Sequence, residues 1–112
     1  MGLYRLYTGA DGESHIEDLK PEDHVELRQL QAAAGIRLQE FPAQQFLDWH
    51  PAPRRQWVMI VSGELEIGLG DGTSRQFGPG DARLVEDTTG RGHTTRTLGT
   101  APCFTLVVPL AG

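Results

Sequence analysis

The sequence predicts an all-β single domain, a small barrel or sandwich, and three observations predict it. After residue 35, apolar residues recur at every second position in a series of short runs. Turn residues separate those runs at short intervals: the chain carries 14 glycines and 7 prolines in 112 residues, with no collagen-like or low-complexity period to explain them. Asp71 and Gly72 sit between two such runs, and both tolerate the positive φ that a two-residue hairpin requires.

Residues 3–7 alternate loosely and suit a short strand, closed by the turn cluster of residues 8–12. A second short strand is expected over residues 15–19. Residues 20–34 admit two readings. Pro21 suits a helix start, and Val25, Leu27, Leu30 and Ala34 recur at partly helical spacing, which gives a short helix ending at Gly35. The same residues also suit an irregular arm packed on a sheet.

From Gly35 onward the period-2 signal strengthens. Residues 36–41 read as a strand stopped by Pro42, and residues 46–50 as one stopped by Pro51 and Pro53. Residues 56–61 are dense in strand formers, and Ser62 and Gly63 break them. Residues 64–69 alternate charged or small residues with apolar ones, as a half-buried strand does. Residues 73–77 return from the Asp71-Gly72 turn, and residues 78–81 turn again. Residues 82–85, 93–98 and 104–108 complete the set. Strands this short and this regular close into a sandwich or barrel, with residues 1–35 as an N-terminal arm and residues 36–112 as the barrel.

The chain is long enough for one hydrophobic core and too short for two. Its net charge of −5 argues against nucleic acid, which requires a basic surface. No stretch approaches the length of a membrane span, and no apolar leader core stands near residue 1. Cys103 is the single cysteine, so no internal disulfide forms, and its apolar neighbours suit a buried thiol in a reducing compartment. A cytoplasmic protein is the expectation. No phosphate-binding glycine loop, Cys-x-x-Cys pair or nucleophile elbow is present.

Two stretches together resemble the cupin family. The first runs from His50 through Gln56 to Gly63, and the second from Phe77 through Pro79, Gly80 and Asp81 to Gly92 and His93. Cupins carry Gly-x5-His-x-His-x3,4-Glu-x6-Gly and Gly-x5-Pro-x-Gly-x2-His-x3-Asn. The likeness covers residues 36–109 and implies a jelly-roll β-barrel with a single domain. Residue by residue, the family's first metal-binding His falls on His50, its second on Ala52, its Glu on Gln56, its last His on His93 and its final Asn on Thr97. Ala52 cannot bind metal, and Gln56 offers a neutral amide oxygen. The loop before His93 is longer than usual and carries Glu86 and Asp87.

The resemblance implies a functional site inside the barrel. If Gln56 points inward, Val58 and Ile60 do too, while Trp57, Met59 and Val61 point outward. His93, Thr95 and Thr97 then share the opposite inner wall, and His50 approaches His93. Two chemistries stay open. In one, His50, Gln56 and His93 hold one divalent transition metal (iron, manganese, nickel, copper or zinc), with Glu86 or Asp87 restoring a carboxylate. The metal-bound version would be a dioxygenase; in the other no metal is bound, and His93 with Glu86 or Asp87 moves protons on a small polar molecule, as an isomerase or lyase would. Asp87 also suits a simpler role, closing the turn at residues 88–90 through backbone bonds. Arg54 and Arg55 are candidates to clamp an anionic group at the mouth, with a surface ion pair to Asp48 as the alternative. Thr95 and Gln56 are candidate ligand contacts. Trp49 and Trp57 are candidate pocket walls, Trp57 fitting better against the N-terminal segment or a second subunit. His15 and His24 read as surface residues. An outward apolar stripe on residues 57–61 suggests a homodimer. The expected partner is a small-molecule ligand, either transformed or only held.

Overall fold

The structure is a computed structural model, and it describes residues 2–111. Its strands are β1 (Leu3–Thr8), β2 (Ser14–Asp18), β3 (Arg37–Phe41), β4 (Phe46–His50), β5 (Gln56–Ser62), β6 (Glu64–Gly68), β7 (Ser74–Phe77), β8 (Ala82–Val85), β9 (His93–Leu98) and β10 (Cys103–Pro109). They form a six-stranded sheet in the order β2-β1-β8-β5-β10-β3 and a four-stranded sheet in the order β4-β9-β6-β7. Among the described residues no helix is long and apolar enough to cross a membrane.

Alternation decides what lies between the sheets. Along β5, Gln56, Val58 and Ile60 are buried while Trp57 and Met59 are only partly so, and Val61 is exposed. Along β9, His93, Thr95 and Thr97 are buried on the inner face. Leu6, Val58, Ile60 and Val107 of the larger sheet meet Leu65, Ile67 and Phe77 of the smaller one in a single core. Each such side chain contributes about 1.5–3 kcal/mol by leaving water. That burial fixes register, because a one-residue slip would turn every one of these residues to solvent.

The N-terminal 35 residues divide in two. Residues 3–18 are wall: β1 pairs with β2 antiparallel and with β8 in parallel. Residues 20–34 cross the outer face of the larger sheet as an irregular arm with two short 3-10 turns, Pro21–Asp23 and Val25–Arg28, and no α-helix. The helical spacing fails because its apolar residues do not share one buried stripe; Val25 and Leu30 are exposed, and only Leu27 packs inward against Leu19, Leu84, Leu110 and Trp57. The extended backbone finds sheet partners instead. Ala34 N donates to Pro109 O at 2.8 Å, and Ala111 N to Ala32 O at 3.0 Å. Trp57 Nε1 donates to Gln31 Oε1 at 2.9 Å, so this outward indole is held by the arm.

Candidate functional site

A cavity of about 240 Å3 opens at one end of the space between the sheets. His50, Gln56, Arg83, His93 and Thr95 contribute to its lining, with Val58, Val85 and Val107 among its apolar walls and Arg37 at its exposed rim. The sequence expectation that His50, Gln56, His93 and Thr95 share one inner space is what the strand registers produce. β4 and β9 pair Leu47 with Thr95 and then His50 with His93, so β4 carries an extra residue between the two pairs. That bulge lets both Leu47 and His50 reach the cavity, which strict alternation forbids.

Gly92 brings the two histidines together. Its φ of +81° suits glycine, and a Cβ there would collide with the His50 carbonyl. With no side chain at 92, the start of β9 lies against the end of β4. The imidazole centroids of His50 and His93 are 4.8 Å apart, inclined at 57°. His50 Nδ1 sits 2.6 Å from the backbone oxygen of Asp48, so it is the N–H position, and Nε2 carries the free lone pair.

His93 is oriented by Asp87. Its Nδ1 lies 2.5 Å from Asp87 Oδ2, which also accepts from Ser14 Oγ at 2.7 Å. Asp87 is fully buried and His93 is 6% exposed. A hydrogen on Nδ1 leaves His93 Nε2 as the acceptor. The Asp87 side chain thus holds the neighbouring imidazole, not its own turn. The loop that carries Asp87 is held in turn: Ala52 N donates to Asp87 O at 2.9 Å, and Thr8 Oγ1 donates to Thr89 O at 3.1 Å. Gly90, at φ +76°, packs against the Gly12 carbonyl with no room for a Cβ, seating this loop on the β1–β2 hairpin that supplies Ser14.

Three residues expected at the site lie elsewhere. Glu86 is on the outer face, bonded to Arg5 Nε at 2.6 Å and Arg55 Nε at 2.5 Å. Burial disfavours its charge, but the two guanidinium groups outweigh that and hold its carboxyl below the ordinary range. Arg54 donates to the Leu110 carbonyl at 3.1 Å, away from the cavity. The reason is alternation. Gln56 pairs with Val85 and both point inward, so their neighbours Arg55 and Glu86 point outward and meet there. Arg55 therefore pairs with Glu86 and not with Asp48. Trp49 lies under the Arg91 guanidinium at 4.2 Å, outside the cavity lining. His15 and His24 lie on the surface, beside Asp11 and Glu26.

Sequence reasoning missed Arg83, Arg37 and Ser14. Arg83 is 5% exposed, and its Nε and Nη1 have no hydrogen-bond partner. Its guanidinium lies 5.0 Å from the Phe77 ring centroid. Burial lowers its pKa to about 10, although the charges of Asp87 and Asp81 favour the cation, so it is cationic at neutral pH. No local signal marks it: Arg83 opposes Val58 through the β5–β8 register, and an inward Val58 makes Arg83 inward as well. Gln56 Oε1 and Asp87 Oδ1 are also buried without partners.

These residues do not fit a resident divalent cation. The donors are two imidazoles and a neutral amide oxygen, and among the described residues no three His, Cys, Asp or Glu side chains form a metal-binding group. Asp87 is engaged by His93 and Ser14, and a buried guanidinium lines the same cavity and repels a second cation.

Solved structures of other proteins resemble the chain over most of its length. A conserved Klebsiella pneumoniae protein with a double-stranded β-helix domain aligns at 19% identity over 74% of this chain and 76% of that one, with a TM-score of 0.54. A cupin-superfamily sugar phosphate isomerase from Silicibacter pomeroyi aligns at 20% identity over 91% and 61%, TM-score 0.55. The polyketide cyclase RemF from Streptomyces resistomycificus aligns at 18% identity over 95% and 70%, TM-score 0.56. No protein-family model matches the sequence, and no curated protein matches it. The two-sheet barrel and these likenesses define the class: the chain has the cupin fold, a double-stranded β-helix.

Proposed function

We propose that this protein takes a small polar molecule into the barrel and moves a proton on it, with His93 as the acid–base group and Asp87 as the residue that positions it. One observation carries the reading: the buried Asp87–His93 hydrogen bond opens on a cavity that also holds His50 and Gln56. Asp87 fixes the tautomer in which His93 Nε2 faces substrate as a base, and its charge stabilises the imidazolium formed when that nitrogen takes the proton. The His93 imidazolium returns that proton at another substrate atom, while His50, held by the Asp48 carbonyl, presents a second Nε2 that accepts a hydrogen bond from a substrate hydroxyl. Neither step requires a metal. An isomerase or lyase reaction fits this pair, and the sugar phosphate isomerase and polyketide cyclase among the similar structures support a small-molecule transformation. The intended setting is the cytoplasm, the acidic surface and buried Cys103 being at home there.

The second reading is a barrel that holds or senses its ligand unchanged. Ala52 and Gln56, in place of a ligating His and Glu, favour it. A thermal-shift screen with small metabolites, followed by NMR of the recovered ligand in deuterated buffer, separates the two. A stabilising ligand that gains deuterium in the native protein and not in His93→Gln supports proton transfer. One that stabilises and returns without deuterium establishes the binding reading and overturns the catalytic one.

A further inference from the structure

Arg83 has no role in the proton transfer just described, yet it is the most anomalous residue in the molecule. A guanidinium buried without an ion pair is costly unless something else neutralises it. Among the described residues no carboxylate makes a hydrogen bond to Arg83 Nε or Nη1: Asp87 serves His93 and Ser14 through Oδ2, and Asp81 accepts from Gly2 N at 2.7 Å and Gly78 N at 2.8 Å. Phe77 gives Arg83 a π face but no negative charge. Arg83 lines the cavity, and two of its guanidinium nitrogens have no acceptor.

Gln56 is the complementary anomaly. Its Oε1 is a buried acceptor without a donor, and it lines the same cavity. A ligand that satisfies both groups carries an anionic end for Arg83 and a hydrogen-bond donor for Gln56. The cavity, at about 240 Å3, lies just below the roughly 300–1,000 Å3 of pockets for drug-sized ligands, so the molecule is small. One buried cation balances one negative charge, which favours a carboxylate over a phosphate dianion. Arg37 stands at the exposed rim and offers an approaching anion a local positive charge on a chain whose net charge is −5.

From this we infer that the ligand is a small hydroxycarboxylate, its carboxylate held by Arg83 and its hydroxyl by Gln56. This assignment of substrate class rests on the reading of the cavity as the functional site. Arg83 and Gln56 anchor the molecule, and the histidines act on the carbon or oxygen between.

The test is calorimetry and thermal melting of the full chain at constant ionic strength, with sodium glycolate, lactate and 3-hydroxybutyrate as probes. Lactamide and inorganic phosphate serve as comparisons. At least one hydroxycarboxylate is expected to raise the melting temperature, with lactamide silent and phosphate weaker. Arg83→Met should abolish the response, and Arg83→Lys, which keeps charge but loses the planar fork, should weaken affinity at least tenfold. His93→Gln should retain binding and lose proton exchange. An Arg83→Met protein that melts cooperatively and still binds the hydroxycarboxylate overturns the assignment. So does a wild-type protein that ignores all three acids, or one that prefers phosphate or lactamide. Loss of binding in Arg83→Met together with unchanged exchange in His93→Gln would leave the carboxylate site standing and remove the proton-transfer reading.

Discussion

Asp87 Oδ2 and His93 Nδ1 lie 2.5 Å apart at a site where Asp87 is fully shielded from solvent, and the carboxylate reaches that point from a loop seated on Ser14 of β2. The pair links the N-terminal hairpin, the loop before β9 and the cavity wall in one hydrogen-bonded chain.

Replacing Asp87 with Asn is expected to slow proton transfer by about 10²–10⁴-fold while changing ligand affinity only a few-fold. The amide N–H can donate to His93 Nδ1, which moves the ring hydrogen to Nε2 and removes the base. Deuterium exchange into the ligand and the ring 15N shifts of His93 report the two effects separately. Equal losses in affinity and rate would mean that Asp87 serves structure alone.

Arg83 predicts a conflict between stability and binding. Burial lowers its pKa from the ordinary guanidinium value to about 10 in the folded protein, so the unfolded chain holds that proton more tightly. The destabilisation is fully present below about pH 10 and is relieved as pH rises above that toward the ordinary guanidinium range. Arg83→Met removes it, and the ligand-free variant should melt about 4 °C or more above the native protein at neutral pH. A lower melting point would show that Arg83 contributes more through Phe77 and its neighbours than it loses by burial.

Gly92→Ala is expected to destabilise the fold by about 2–4 kcal/mol and to abolish ligand binding, because a left-handed residue gains a Cβ that meets the His50 carbonyl. Gly12→Ala is the matched control. Gly12 has a similar φ of +78° with open space around it, so it should cost only about 1–2 kcal/mol. Urea midpoints measure both.

Glu86→Gln tests the placement of that residue outside the site. Binding should be unchanged, and stability should fall by no more than about 1 kcal/mol per ion pair lost. Because Arg5 and Arg55 hold the Glu86 carboxyl below its ordinary range, its contribution is present above the ordinary carboxylate pKa and is lost as pH falls through its lowered folded value. The native protein and the variant should therefore converge in melting temperature in acid.

The edge strand β3 carries Leu38 at 74% exposure beside Ile36 at 71%. This exposed row, with its unpaired strand edge, predicts a homodimer at micromolar concentration in sedimentation, and Leu38→Glu should return it to monomer.

The strands were legible in the sequence because a period of two and the glycine and proline stops are local signals. Alternation sorted β5 and β9 into two faces, and the cupin resemblance chose the inner one, which carries Gln56, His93 and Thr95. What stayed hidden depends on pairing between distant strands. Arg83 enters the cavity because β8 lies opposite β5, and Glu86 leaves it for the same reason. Read as surface charges in isolation, Arg55 and Glu86 look suited to a mouth; the register sends both outward, while Arg54, which precedes β5, is taken by the Leu110 carbonyl. The arm at residues 20–34 was ambiguous because its apolar residues answer to the outer face of a sheet assembled from residues far along the chain.

The most direct measurement is 15N NMR of the histidine rings in the full chain, purified without chelator or histidine tag, as hydroxycarboxylates are added and metal content is assayed in parallel. The account predicts Nδ1–H tautomers for His50 and His93 in the metal-free protein, with His50 and His93 shifting on ligand addition while His15 and His24 stay fixed. About one equivalent of iron, manganese, nickel, copper or zinc lost in His50→Ala/His93→Ala, or ring signals that ignore every ligand that binds, would contradict it.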